Sequence, residues 1–154
     1  MDFQLSLDSE GVGSAYPESP LATTIDATVG DVLRLLRAQR TGAVLICEGT
    51  KLVGIVTERD ALQLMSSGAD LKQPAREVMS SPPATISNGA TVGEAIRIMS
   101  DGGYRHLPII DGQNRPTGVL ATQGIVHFLV DHFPATVYNL PPDPKASTRD
   151  REGA

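Results

Sequence analysis

Tryptophan is absent from the 154-residue chain and aromatic residues make up only 4% of it, so any core must be built from aliphatic side chains. A single cysteine excludes an intramolecular disulfide framework and any multi-cysteine metal site. Cys47 lies in the apolar run Val44-Leu45-Ile46-Cys47, the setting of a buried thiol rather than a nucleophile. Long hydrophobic runs are missing too: no stretch approaches the ~20 residues needed to span a bilayer. Residues 1–20 are acidic and lack the basic start and apolar centre of a secretion signal. A cytoplasmic protein without a membrane partner is expected. Cations are the minority, 13 Lys and Arg against 18 Asp and Glu, and the net charge of −5 argues against a broad nucleic-acid surface. A small basic pocket for one phosphorylated ligand stays open.

What is present is a duplication. Thr28-Val29-Gly30-Asp31 returns as Thr91-Val92-Gly93-Glu94, and the apolar residues Val29, Val32, Leu33, Leu35 and Leu36 return 63 positions later as Val92, Ala95, Ile96, Ile98 and Met99. A unit this short buries its apolar face poorly alone, so the copies are expected to pack on each other, with a ligand groove between them. Each copy opens on a β-prone pair, Thr24-Ile25 and Thr85-Ile86. A helix follows, started by a capping box (Thr28 with Asp31, Thr91 with Glu94) and running to about Arg40 and Ser100. Strands at Ala43–Cys47 and Leu107–Ile110 end in the turns Glu48-Gly49 and Asp111-Gly112. Return strands follow at Leu52–Val56 and Thr117–Leu120, then helices from near Glu58 and Gln123. The expected fold is α+β, a β-α-β-β-α unit twice with pseudo-twofold symmetry. Residues 1–19 read as a flexible arm in which Phe3, Leu5 and Leu7 alternate as a short strand for a partner. Residues 20–80 form repeat one with its connector, 81–140 repeat two, and 141–154, opening Pro-Pro-Asp-Pro, a disordered tail.

Two segments, Gly54-Ile55-Val56-Thr57-Glu58-Arg59-Asp60 and Tyr104-Arg105-His106-Leu107-Pro108-Ile109-Ile110-Asp111, closely resemble signatures of the cystathionine-β-synthase-type (CBS) domain family. The chain resembles a tandem CBS pair, or Bateman module, of the stand-alone bacterial signalling type, over about residues 20–130. The resemblance implies two clefts between the repeats, adenosine ligands such as AMP, ADP, ATP or S-adenosylmethionine, a disc-shaped homodimer, and a sensor rather than an enzyme. It also implies that Asp60 accepts both ribose hydroxyls and that the Thr57 hydroxyl holds sugar or phosphate. The plainer reading of Thr57-x-x-Asp60 is a helix cap, and one hydroxyl can serve both roles.

The second copy departs at those positions, with Ala121 for the Thr and Gly124 for the Asp. One adenosine site per chain is expected, with a weak or empty second cleft. Thr24, Ile25, Ala43 and Ile55 are the expected walls of an adenine slot, and Thr41, Gly42 and Ala43 are small enough to leave room for base or sugar. Arg59, Arg105 and His106 are the candidate phosphate cations; the plain alternatives are solvated arginines and a strand-edge histidine. His127 and His132 share no helix face, and without a third ligand no metal site is expected. The apolar residues around them, Ile125 to Val130, suit a core or a dimer interface equally. No cofactor is required in this reading, and an adenine nucleotide is the regulatory ligand. Output would pass through an effector protein. The alternatives are a ligand-free dimerising scaffold and an S-adenosylmethionine sensor. A catalyst would need an oriented base or metal cluster that the sequence does not supply.

Overall fold

A computed structural model describes residues 7–39 and 41–132. Phe3, Leu5, Arg40 and the tail at 141–154 therefore lie outside the described residues. The repeat is formed twice: β1 Ala22–Thr24, α1 Val29–Gln39, β2 Ala43–Glu48, β3 Lys51–Thr57 and α2 Glu58–Ser66, then β4 Ile86–Ser87, α3 Val92–Gly102, β5 His106–Ile110, β6 Pro116–Ala121 and α4 Thr122–His132. Each half has a three-stranded sheet in sequence order, its first pair parallel and its second antiparallel.

Local chemistry explains the elements. In the capping box at α1, the Thr28 N–H donates to Asp31 Oδ2 at 3.0 Å and the Asp31 N–H to Thr28 Oγ1 at 3.1 Å. The box at α3 joins Thr91 and Glu94 in the same way. Helix α3 ends at Gly103 with φ +70°, where the left-handed backbone suits a residue without Cβ. The hairpin turn at Gly49 has φ +63° for the same reason.

Strand β2 explains its unbroken apolar run by being covered on both faces. Val44 and Ile46 pack under α1 with Val32, Leu36 and Val56. Leu45, Cys47 and Ala43 point the other way, into a layer shared with Leu52, Ile55 and, from the second half, Val119. This layer joins the two sheets. A second core fills the other half around Leu107, Leu120 and Phe128, all fully buried.

The leader segments are exchanged. The connector before β4 packs on the first half: the Val29 N–H donates to the Gln73 carbonyl at 2.9 Å, and Ser80 and Ile55 exchange backbone bonds of 3.2 and 3.0 Å. The segment before β1 packs on the second half in the same manner. The Val92 N–H donates to Glu10 at 2.8 Å, and Glu18 and Val119 exchange bonds of 2.8 and 2.9 Å. The segment expected to be a flexible arm is thus packed from Leu7 onward. Leu7 is in a helical turn, not a strand, and it is buried with Val12 and Ala15 in the second core. Three apolar side chains that find a core outweigh the polar composition of their surroundings.

Backbone bonding also sets the equivalence of the copies. The Ile25 N–H donates to the Cys47 carbonyl and the Asn88 N–H to the Ile110 carbonyl. Thr24-Ile25 therefore corresponds to Ser87-Asn88, two positions from the expected match with Thr85-Ile86.

Candidate functional site

Strand β3 ends where α2 begins, and that junction carries the Thr-x-x-Asp pair. Thr57 is the N-cap, extended at φ −103°. Its N–H donates to Asp60 Oδ2 at 2.9 Å, its hydroxyl donates to the same oxygen at 3.1 Å, and the Asp60 N–H donates back to Thr57 Oγ1 at 3.3 Å. The cap reading is therefore correct as geometry. It does not exhaust the carboxylate, whose two oxygens offer about four acceptor positions.

Thr57 and Asp60 line a cleft of about 480 Å³ between the two halves, and Ile55 forms part of its floor. Across from them stand Tyr104 and Arg105, just before β5, and His106, its first residue, and Arg59 lies in the first turn of α2. The cleft thus joins the N-terminus of a helix, which favours anions, with two guanidinium groups and an imidazole. Glu58 lies beside them. Burial holds the His106 pKa below the ordinary 6.5; Glu18 and Glu58 oppose that shift and Arg105 reinforces it. His106 is therefore an uncharged imidazole at neutral pH, ready to gain a proton when an anion arrives.

Six of the ten expected residues meet in this cleft: Ile55, Thr57, Arg59, Asp60, Arg105 and His106. The other four do not line it. Ala43 is 3% exposed and points into the layer between the sheets. Ile25 packs against the first core, and its carbonyl accepts from Arg76 Nη1 at 3.3 Å. Thr24 borders a separate shallow depression with Ala22, Cys47 and Arg115. Gly42 stands just behind the cleft, where its carbonyl accepts from the Glu58 N–H at 3.0 Å; a Cβ there would come within 2.2 Å of His106 Nε2, so its smallness seats the imidazole.

Ser80, Pro82, Pro83 and Ala84 line the cleft, and Thr24, Ile25 and Ala43 do not. The leader exchange is the reason, since the segment bonded to the outer edge of β3 is the one that precedes the second repeat. Gln63 and Glu58 on α2 also line the cleft without having been anticipated. The signal available in the sequence was the Pro82-Pro83 pair at the boundary between the copies.

The sequence model of the CBS domain matches residues 14–67 and 75–131. The chain belongs to the CBS-domain family. It is a CBS pair, and its similarity to known proteins extends over most of the chain. An uncharacterized protein of Methanopyrus kandleri is 31% identical over 121 residues, 77% of this chain and 62% of that protein. A CBS domain-containing protein of Bacillus subtilis, YhcV, is 32% identical over 95 residues, 61% of this chain and 67% of the relative. Among solved structures, a CBS domain protein of Pyrobaculum aerophilum complexed with AMP superposes with a TM-score of 0.70 at 24% identity, covering 74% of this chain and 88% of that one. The CBS domain pair of protein MJ0100, in complex with 5′-methylthioadenosine and S-adenosyl-L-methionine, gives a TM-score of 0.70 at 19% identity, with 77% and 98% covered. The chain spans about two thirds of the length of these curated relatives.

Proposed function

We propose that this CBS pair is a regulatory module, not a catalyst, that binds an adenine nucleotide in the cleft between its halves and signals through a second copy or an effector protein. The observation that carries the reading is the convergence of a Thr-x-x-Asp helix start with Arg59, Arg105 and His106 on one cavity. Asp60 accepts from the ribose hydroxyls, Arg59 and Arg105 take the phosphates together with a His106 that gains its proton on binding, and Ile55 with Pro83 and Ala84 forms the slot for the base. Solved proteins of the same fold that carry AMP or S-adenosyl-L-methionine support an adenosine ligand. The two arginines favour a phosphorylated member of that class over S-adenosylmethionine.

Calorimetry with AMP, ADP, ATP and S-adenosylmethionine, repeated with Asp60→Ala, tests the proposal. A hydrogen bond to a charged acceptor contributes about 1.5–3 kcal/mol, so Asp60→Ala weakens every adenosine ligand roughly ten- to a hundredfold. Arg105→Ala weakens ADP and ATP much more than adenosine. Absence of binding by all four ligands supports the second reading, a ligand-free scaffold. That reading draws on the completed capping box and on apolar side chains left exposed on α2 and α4, namely Leu62, Met65 and Val126.

A further inference from the structure

The chain's own leader lies against the start of α4, the counterpart in the second half of the Thr57–Asp60 helix start. The two leader segments correspond residue by residue through Glu10 with Gln73 and Val12 with Ala75, because each pair makes the same bonds to its host repeat (Val92 and Val29, Ala90 and Ala27). The correspondence is 63 positions at these pairs but 62 at Glu18 and Ser80, so the N-terminal leader carries one additional residue. Pro17 stands over Gly118 as Met79 stands over Gly54. The additional residue is Tyr16, and its backbone is left-handed at φ +53°, an uncommon state for a residue with Cβ.

Tyr16 lies where the second half has lost its acid. Gly124, the counterpart of Asp60, faces the leader so closely that a Cβ would come within 2.6 Å of the Ala15 carbonyl oxygen and 3.1 Å of that of Tyr16. Backbone cannot yield there as a side-chain tip would. The Tyr16 ring stacks on His127, with centroids 4.3 Å apart and planes 18° apart, and its hydroxyl donates to Asp131 Oδ2. Asp131 in turn pairs with His127 Nε2 at 3.4 Å, and Ala15 is fully buried. His127 is the counterpart of Gln63, which lines the open cleft of the first half.

We infer that the second cleft is a peptide groove whose resident ligand is the Ala15-Tyr16 step of the chain's own leader. Gly124 is then the residue the leader needs beneath it, and reinstating an acid there does not by itself reinstate a nucleoside site. The inference rests on the geometry of the second half, and only its stoichiometric arm draws on the adenosine reading of the first.

Nuclear magnetic resonance of the full chain gives the direct test. The His127 ring protons carry an upfield shift from the Tyr16 ring, and Tyr16→Leu abolishes it. AMP at millimolar concentration leaves the His127 and Gly124 resonances in place, including in Asp60→Ala, where the first cleft is disabled. Movement of both resonances with AMP in Asp60→Ala overturns the inference, because the nucleoside has then displaced the leader. A second measurement uses Ala121→Thr combined with Gly124→Asp. With Tyr16 present this variant gains no AMP equivalent by calorimetry; with Tyr16 deleted, which restores the spacing of the other leader, it gains one per chain. A gain with Tyr16 present, or no gain on its deletion, counts against the closed groove. Failure of AMP to bind the first cleft leaves the His127 shift and its loss in Tyr16→Leu untouched, so the two readings fail separately.

Discussion

His106 carries the pH dependence of the open cleft. Burial keeps its folded pKa below 6.5, while a bound phosphate stabilises the protonated ring and raises it. Nucleotide binding is therefore expected to take up a proton, with affinity rising as pH falls toward the lowered His106 pKa of the free protein. Adenosine, with no phosphate, shows no such gain. Calorimetry across this range with His106→Gln as reference separates the imidazole from the titration of the phosphate itself: the variant flattens the difference between AMP and adenosine. The free chain shows the opposite trend in stability. An unfolded imidazole protonates near 6.5 and the folded one only at lower pH, so stability is full above 6.5 and declines as pH falls through the window beneath it. Thermal melts of the two proteins over that window converge if His106 is the group responsible.

All three boxes cap helices, and the copies allow the proposed second role of Thr57 to be tested. The boxes at α1 and α3 have no place in the cleft, while the box at α2 lines it. Thr91→Ala removes a cap and lowers stability by about 1 kcal/mol with no change in nucleotide affinity. Thr57→Ala lowers stability by a similar amount and weakens the nucleotide as well. Denaturant melts paired with calorimetry read both quantities, and equal affinities for the two variants would assign Thr57 to the helix alone. Both boxes were legible in the chain because a cap depends on residues three apart. The origin of the cleft wall was not. Thr24-Ile25 and Thr85-Ile86 match as letters, but which segment borders β3 depends on the exchange of leaders, a contact between residues far apart in the chain.

The assembled pair leaves an apolar face of its own. Leu62 and Val126 occupy equivalent positions on α2 and α4 and are 71% and 52% exposed, and Met65 is 69% exposed. Neither half buries these side chains, and exposed apolar groups of this kind suit contact with another molecule. Leu62→Asp together with Val126→Asp converts a dimer to monomers in sedimentation velocity while the fold, read by circular dichroism, is kept. A wild-type monomer at high concentration would leave that face to an effector protein.

Duplication, strand and helix order, capping boxes and the Thr57, Asp60, Arg105 and His106 cluster could all be read from the chain, because each depends on near neighbours or on a motif repeated at fixed spacing. Packing settled the rest. Leu7, Val12 and Ala15 look like scattered apolar residues in a polar leader until the second core receives them. Ala43 reads as a small residue in the chain, and only the covering of strand β2 on both faces shows its side chain buried between the sheets. Tyr16 gains its meaning only when Gly124, more than a hundred residues away, lies against it. Such long-range contacts leave no periodic trace in a single sequence, so only the folded chain discloses them.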